Sequence, residues 1–148
     1  MSTLQIADDF GRRLDILNRA RRRFMDEKLK PYQLCSPRYW ILLYIVHHPG
    51  CSQDAVGLYL HFDKSNITRG VRALVDMGLI ERRSSEEDRR LNLLTATQDG
   101  IAARAIVSGF LQEWNSRLTD GLSEEDKRIT MRTLSQMLEN CSDYTHCG

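Results

Sequence analysis

Lys64, Ser65, Asn66, Thr68, Arg69 and Arg72 lie in one short stretch whose apolar members are Ile67, Val71 and Leu74. Apolar residues at steps of four and three make a helix with one buried side. That side claims Ile67, Val71 and Leu74 and leaves the polar set pointing outward, with Ser65, Arg69 and Arg72 on one face. These are groups that can read DNA. Arginine's planar fork suits guanine, asparagine suits adenine, and serine or threonine serves either base or phosphate. Lys64, at the helix start, is better placed for phosphate, beside free N–H groups and the positive end of the helix dipole. A solvated polar face would carry similar residues, so the surrounding elements must decide.

Those elements read as four helices, a hairpin and two more helices. The first helix runs roughly from Leu4 to Leu29, with Ile6, Phe10, Leu14, Leu17 and Phe24 on one stripe and Pro31 as its stop. Ser36 followed by Pro37 predicts the cap and first residue of the second helix, and Ser36 is counted with the DNA-binding set. Tyr39 to Val46 is almost wholly apolar, so this helix is central. Ser52 caps a third helix to about Leu60, whose inner face is Ala55, Val56, Tyr59 and Leu60. Asp63 caps the fourth, the polar-faced helix above, which ends at Gly78 in a left-handed cap. Gly70 sits on its buried side, where close helix packing explains a glycine.

Leu79–Arg83 and Leu91–Ala96 predict two short strands with a charged tip between them. Thr97 caps a fifth helix to about Leu118, with Val107, Leu111, Trp114 and Leu118 on one stripe. Ser123 to Asp126 is a near capping box for a sixth, which carries Met131, Leu134, Leu138 and Cys141 on one side. Two short helices joined by a tight turn, then a ribbon, make a winged helix-turn-helix. The fold class is therefore mainly α, with a short two- or three-stranded β wing; the first, fifth and sixth helices each have one apolar stripe to bury and could supply a helical dimerisation layer. At the wing tip, Arg89 and Arg90 suit a minor groove, and Asp88 braces one of the neighbouring arginines.

The totals exclude other classes. With 148 residues, 41% hydrophobic and 28% charged, the chain can bury a core and is not a disordered tract. A net charge of +1 gives no general attraction to nucleic acid, so any positive surface is local. No apolar run approaches the roughly 20 residues of a bilayer span, and the polar N-terminus does not read as a signal peptide. A cytoplasmic protein is expected, with no membrane partner.

The stretch from Asp63 to Arg69, then Leu74 to Arg82, resembles the recognition helix and following strand of MarR (multiple antibiotic resistance regulator) proteins. Asp88-Arg89-Arg90, followed by Leu93, Ala96-Thr97 and Gly100, is similar to that family's D-x-R wing and its closing Leu-Thr-x-x-Gly, with Ala96 where leucine is usual. The resemblance covers nearly the whole chain. It implies a single domain over residues 1–148, with about 34–100 as the DNA-binding core and about 1–33 and 101–148 as dimerisation helices. It further implies a homodimeric repressor on a pseudo-palindromic operator of double-stranded DNA, relieved by a small aromatic or anionic effector. Ser65, Thr68 and Arg69 match the family's reading helix, and Asp88 and Arg90 match its wing.

Other signals carry less. Tyr39, Trp40 and Tyr44 read first as core and second as an effector pocket, with Arg21 as a countercharge. Cys35 lies before a helix start, where a thiolate is favoured. It is the candidate for a redox-switched alternative, although the four cysteines read first as free thiols. His47, His48, His61 and His146 form no metal framework, and no cofactor is expected. No catalytic constellation appears, so an enzyme is not expected. A winged-helix module that binds protein rather than DNA is the remaining alternative.

Overall fold

Apolar periodicity becomes helix along most of the chain. The computed structural model describes residues 3–84 and 92–145, and the chain divides into two units, Met1–Ser36 and Pro37–Gly148.

The first unit is a long helix, α1 (Thr3–Leu29), followed by a turn of 3-10 helix at Lys30–Tyr32. α1 ends at Leu29, as expected from Pro31. Pro31 sits early in the tighter turn, and Gln33, in the left-handed region at φ 57°, reverses the chain. The Gln33 N–H bonds the Lys30 carbonyl at 3.0 Å and the Leu34 N–H bonds the Leu29 carbonyl at 3.2 Å. Met25, Leu29 and Leu34 are buried, while Phe10, Leu14 and Leu17 are exposed. The arginine-rich face is partly ion-paired: Asp9 bonds both Arg12 and Arg13, and Arg23 bonds Glu27 at 3.1 Å.

The second unit begins one residue later than expected. Helix α2 spans Arg38–His47, and the cap position is Pro37, so no side chain caps it. Ser36 is not the cap; its N–H bonds the Asp26 carboxylate at 3.3 Å in the first unit. Then follow β1 (Cys51–Ser52), α3 (Gln53–Leu60), α4 (Lys64–Asp76), β2 (Ile80–Ser84), β3 (Asn92–Ala96), α5 (Gln98–Leu118), α6 (Glu124–Asn140) and the short α7 (Ser142–Thr145). Caps fall where the sequence put them: Ser52, Asp63, Thr97 and Ser123, the last in a full capping box with Asp126.

The sheet has three antiparallel strands in the order β1-β3-β2. β2 and β3 pair from Ile80 with Ala96 out to Ser84 with Asn92. The third strand, β1, pairs Cys51 with Leu94; two residues carry no alternation, so the sequence did not disclose it. Helix α2 is central, packing on α3, α4, α5 and β3. Tyr39, Ile41, Leu42 and Ile45 meet a core of Val56, Ile67, Val71, Leu74, Ile80, Leu94 and Val107, all buried. Tyr59 is the exception to the expected inner face of α3. It is 65% exposed, as is Leu58, and it lies against Tyr44 with ring centroids 4.8 Å apart.

One junction joins the polar-faced helix to the wing. Gly78, at φ 72°, ends α4, with the Leu79 N–H bonding the Leu74 carbonyl at 3.0 Å and the Gly78 N–H bonding the Val75 carbonyl at 2.9 Å. Thr97 closes the same corner. Its N–H bonds the Leu79 carbonyl at 3.0 Å, its hydroxyl donates to the Gly78 carbonyl at 2.7 Å, and it accepts the Gly100 N–H at 3.1 Å. A Cβ at Gly100 would overlap the Leu79 carbonyl oxygen. At Gly70 a Cβ would press on the tip of the Ile41 side chain, not on backbone, with Pro37 in ordinary contact at 3.8 Å.

These two glycines therefore differ in what alanine does. Gly100→Ala is expected to destabilise by about 1–3 kcal/mol, the range for overpacking against a fixed neighbour. Gly70→Ala should lose clearly less, because the added helix propensity of about 1 kcal/mol offsets the contact. Urea unfolding midpoints of both variants check the order, and equal losses would contradict it.

Candidate nucleic-acid interface

Helix α4 is strongly two-sided. Ile67, Gly70, Val71 and Leu74 are buried, and Lys64, Ser65, Thr68, Arg69 and Arg72 are exposed. The structure thus brings five of the six expected α4 residues to one open surface. Asn66 is half-buried and serves the helix start instead.

That start is organised by Asp63. Its carboxylate accepts the Asn66 N–H at 2.8 Å, the Ser65 hydroxyl at 2.8 Å and the Asn66 side-chain amide. These bonds, the Asn66 N–H first and the Ser65 hydroxyl next, hold its carboxyl below the usual carboxylate range. The N–H groups expected to face a phosphate are thus partly taken by Asp63. Asn66 in turn accepts from Arg69 at 2.8 Å, steadying a side chain that keeps further donors for a partner.

A second support reaches α4 from α3. The Gln53 amide donates to the Thr68 hydroxyl at 2.7 Å, and that hydroxyl donates to the Lys64 carbonyl at 2.8 Å. Sequence reading missed Gln53, since the pair is 15 residues apart and no periodicity links it.

The wing residues Asp88, Arg89 and Arg90 lie outside the described residues. The base of the wing is described: Arg82 and Arg83 are exposed on β2, and Arg83 pairs with Glu81 at 2.8 Å.

The remaining candidates scatter. Tyr39 is a core residue, 1% exposed, and its ring lies 4.9 Å from that of Trp40. Tyr44 stacks on His48 at 4.4 Å and on Tyr59. Its hydroxyl is pushed up by burial first, then by Cys51 and Tyr59. Arg21 donates to Asn18 at 3.1 Å on α1. The half-buried Cys35 thiol lies 3.8 Å from the Asp26 carbonyl. Burial pushes the Cys51 thiol up, which disfavours its thiolate. His47 accepts from the Arg104 guanidinium at 3.2 Å. Among the described residues, no group of three His, Cys, Asp or Glu could hold a metal ion, and no helix is long and apolar enough to cross a membrane.

Comparison with known proteins places this geometry in context. A family model described as MarR family matches residues 33–91. An HTH-type transcriptional regulator, BilQ from Clostridium symbiosum, is 32% identical over 108 residues, which cover 73% of this chain and 74% of that protein. A MarR transcriptional regulator from Methanosarcina mazei Go1 superposes with a TM-score of 0.84 at 25% identity, covering 93% of this chain and 99% of the other. A mutant MarR from E. coli, solved in complex with operator DNA, superposes with a TM-score of 0.80 at 22% identity, covering the same shares.

The Asp63 cap makes stability depend on pH in a defined direction. Its folded pKa is depressed, so the stabilisation is complete above its unfolded value of about 3.9 and is lost as pH falls through the folded value. The advantage of the parent over Asp63→Asn should therefore hold from about pH 6 down to about pH 5 and shrink as pH falls from there through the unfolded value toward about pH 3. Urea midpoints across that range check it; an advantage that grows on acidification would contradict the assignment.

Proposed function

The chain belongs to the MarR family, and from that premise we propose that it regulates transcription by binding double-stranded DNA as a homodimer. One observation carries the reading: α4 buries Ile67, Val71 and Leu74 and presents Lys64, Ser65, Thr68, Arg69 and Arg72 together on an open face. One helix fits the major groove, about 12 Å wide. In this reading Arg69 and Arg72 bond base edges, Lys64 meets phosphate, and Arg90 from the wing enters the adjacent minor groove while Asp88 braces it. The operator complex of the E. coli protein supports the choice of partner by similarity of fold.

The exposed apolar surface supports pairing with a second copy. Helix α6 carries Met131, Leu134 and Leu138 on one side, and α1 carries Phe10, Leu14 and Leu17, all exposed. Contiguous apolar faces of this kind mark association surfaces. A two-fold pair places two reading helices on a pseudo-palindrome, with half-sites about one helical turn apart. The protein acts in the cytoplasm as a repressor without enzymatic activity, and a small aromatic or anionic effector releases it from DNA. Trp40 and Tyr44, each partly exposed, are the side chains that would meet such a molecule.

Selection of bound duplexes from a random library, followed by salt titration, tests the reading. Affinity for the selected site should fall about a thousandfold or more between about 50 and 200 mM salt, the loss that six or more phosphate contacts produce. Arg69→Ala should lose about 1–3 kcal/mol on that site and relax the preference at one base pair. Absence of any selected sequence would refute the proposal. For the dimer, Met131→Glu combined with Leu138→Glu is expected to turn a two-copy species into single chains in sedimentation equilibrium. An unchanged mass would move the interface elsewhere.

A further inference from the structure

The bonds around Thr68 restrict what this residue can offer a ligand. A threonine hydroxyl has one proton and two lone pairs. Here the proton goes to the Lys64 carbonyl, which can only accept, at 2.8 Å. A lone pair is filled by the Gln53 amide at 2.7 Å. The hydroxyl is thus bonded back to α4 through its proton and to α3 through one of its two lone pairs. Yet Thr68 is exposed, and the only other heavy atom on its Cβ is the γ-methyl. The surface it presents between Ser65 and Arg69 is therefore chiefly apolar.

In the major groove one base displays a matching group, the C5-methyl of thymine. We infer that Thr68 reads a thymine by methyl-to-methyl contact, and that Gln53 determines this by occupying the hydroxyl. This inference rests on the proposed placement of α4 in the major groove. Gln53 is a positioning residue: it acts on the base through Thr68.

Deoxyuridine differs from thymidine in that one methyl group, so it is the probe. In the duplex selected by the full-length protein, each thymidine of one half-site is replaced in turn. At one position the substitution should weaken binding about fourfold, the equilibrium change for one buried methyl. Thr68→Ser, which keeps the hydroxyl and removes the methyl, should erase that difference. Thr68→Val, which keeps a methyl and removes the hydroxyl, should retain it. Gln53→Leu releases the hydroxyl and should reduce the discrimination, and adding Thr68→Val to Gln53→Leu should restore it.

Two results would overturn the inference while leaving the proposed function standing. One is sequence-selective binding with no thymine preference over uracil at any position, or with a preference that survives Thr68→Ser. The other is loss of selective binding in Thr68→Val, which would make the hydroxyl the reader. A protein that selects no duplex at all overturns both readings together.

Discussion

The close approach of Gly100 to the Leu79 carbonyl is the constraint on which the reading head depends. Helix α4, strand β2, strand β3 and helix α5 all meet within a few residues there, at Gly78, Leu79, Ala96 and Gly100. Any side chain at Gly100 would enter the carbonyl oxygen of Leu79. Thr97 then satisfies three backbone groups at once: the Gly78 and Leu79 carbonyls and the Gly100 N–H. Buried backbone groups left unpaired are costly, so this corner has little freedom to open. It holds the end of α4 at a set distance from the wing ribbon.

On that frame the outer face of α4 is organised before any partner arrives. Asp63 anchors Ser65 and Asn66, Asn66 anchors Arg69, and Gln53 anchors Thr68. Long polar side chains lose rotamer freedom when they bind, and bonds already made within the protein reduce that loss. The same bonds also choose which atoms are shown. A hydroxyl turned inward becomes an apolar surface, and an arginine held at one nitrogen keeps its other donors in a defined direction. The polar face is thus an interface with an orientation as well as a set of side chains.

The C-terminal helices stand in contrast. The core ends at Val107 on α5, and beyond it no residue of α5 or α6 is buried. Helix α6 has a well-formed capping box and exposed leucines. Its local signals are complete, and none of its residues is buried. Helical stability in proteins comes largely from packing of the apolar face, which is why the proposed pairing with a second copy draws on this helix.

Much of this was legible in the amino-acid order. Periods of 3.6 and 2, the caps at Ser52, Asp63, Thr97 and Ser123, and the glycine stop at Gly78 are local signals, because helices and hairpins are set by neighbours a few residues apart. They sufficed for the helix order, for the inward side of α4 and for five of its outward residues. Features that join distant parts of the chain stayed hidden. The pairing of Cys51 with Leu94, the bond from Gln53 to Thr68, the shift of the α2 start past Ser36 and the outward turn of Tyr59 toward Tyr44 depend on which surfaces meet. No spacing rule encodes that meeting, because a side chain can be satisfied by any group that packing brings near. The sequence alone therefore decided which residues α4 offers, and tertiary packing decided which of their atoms face outward.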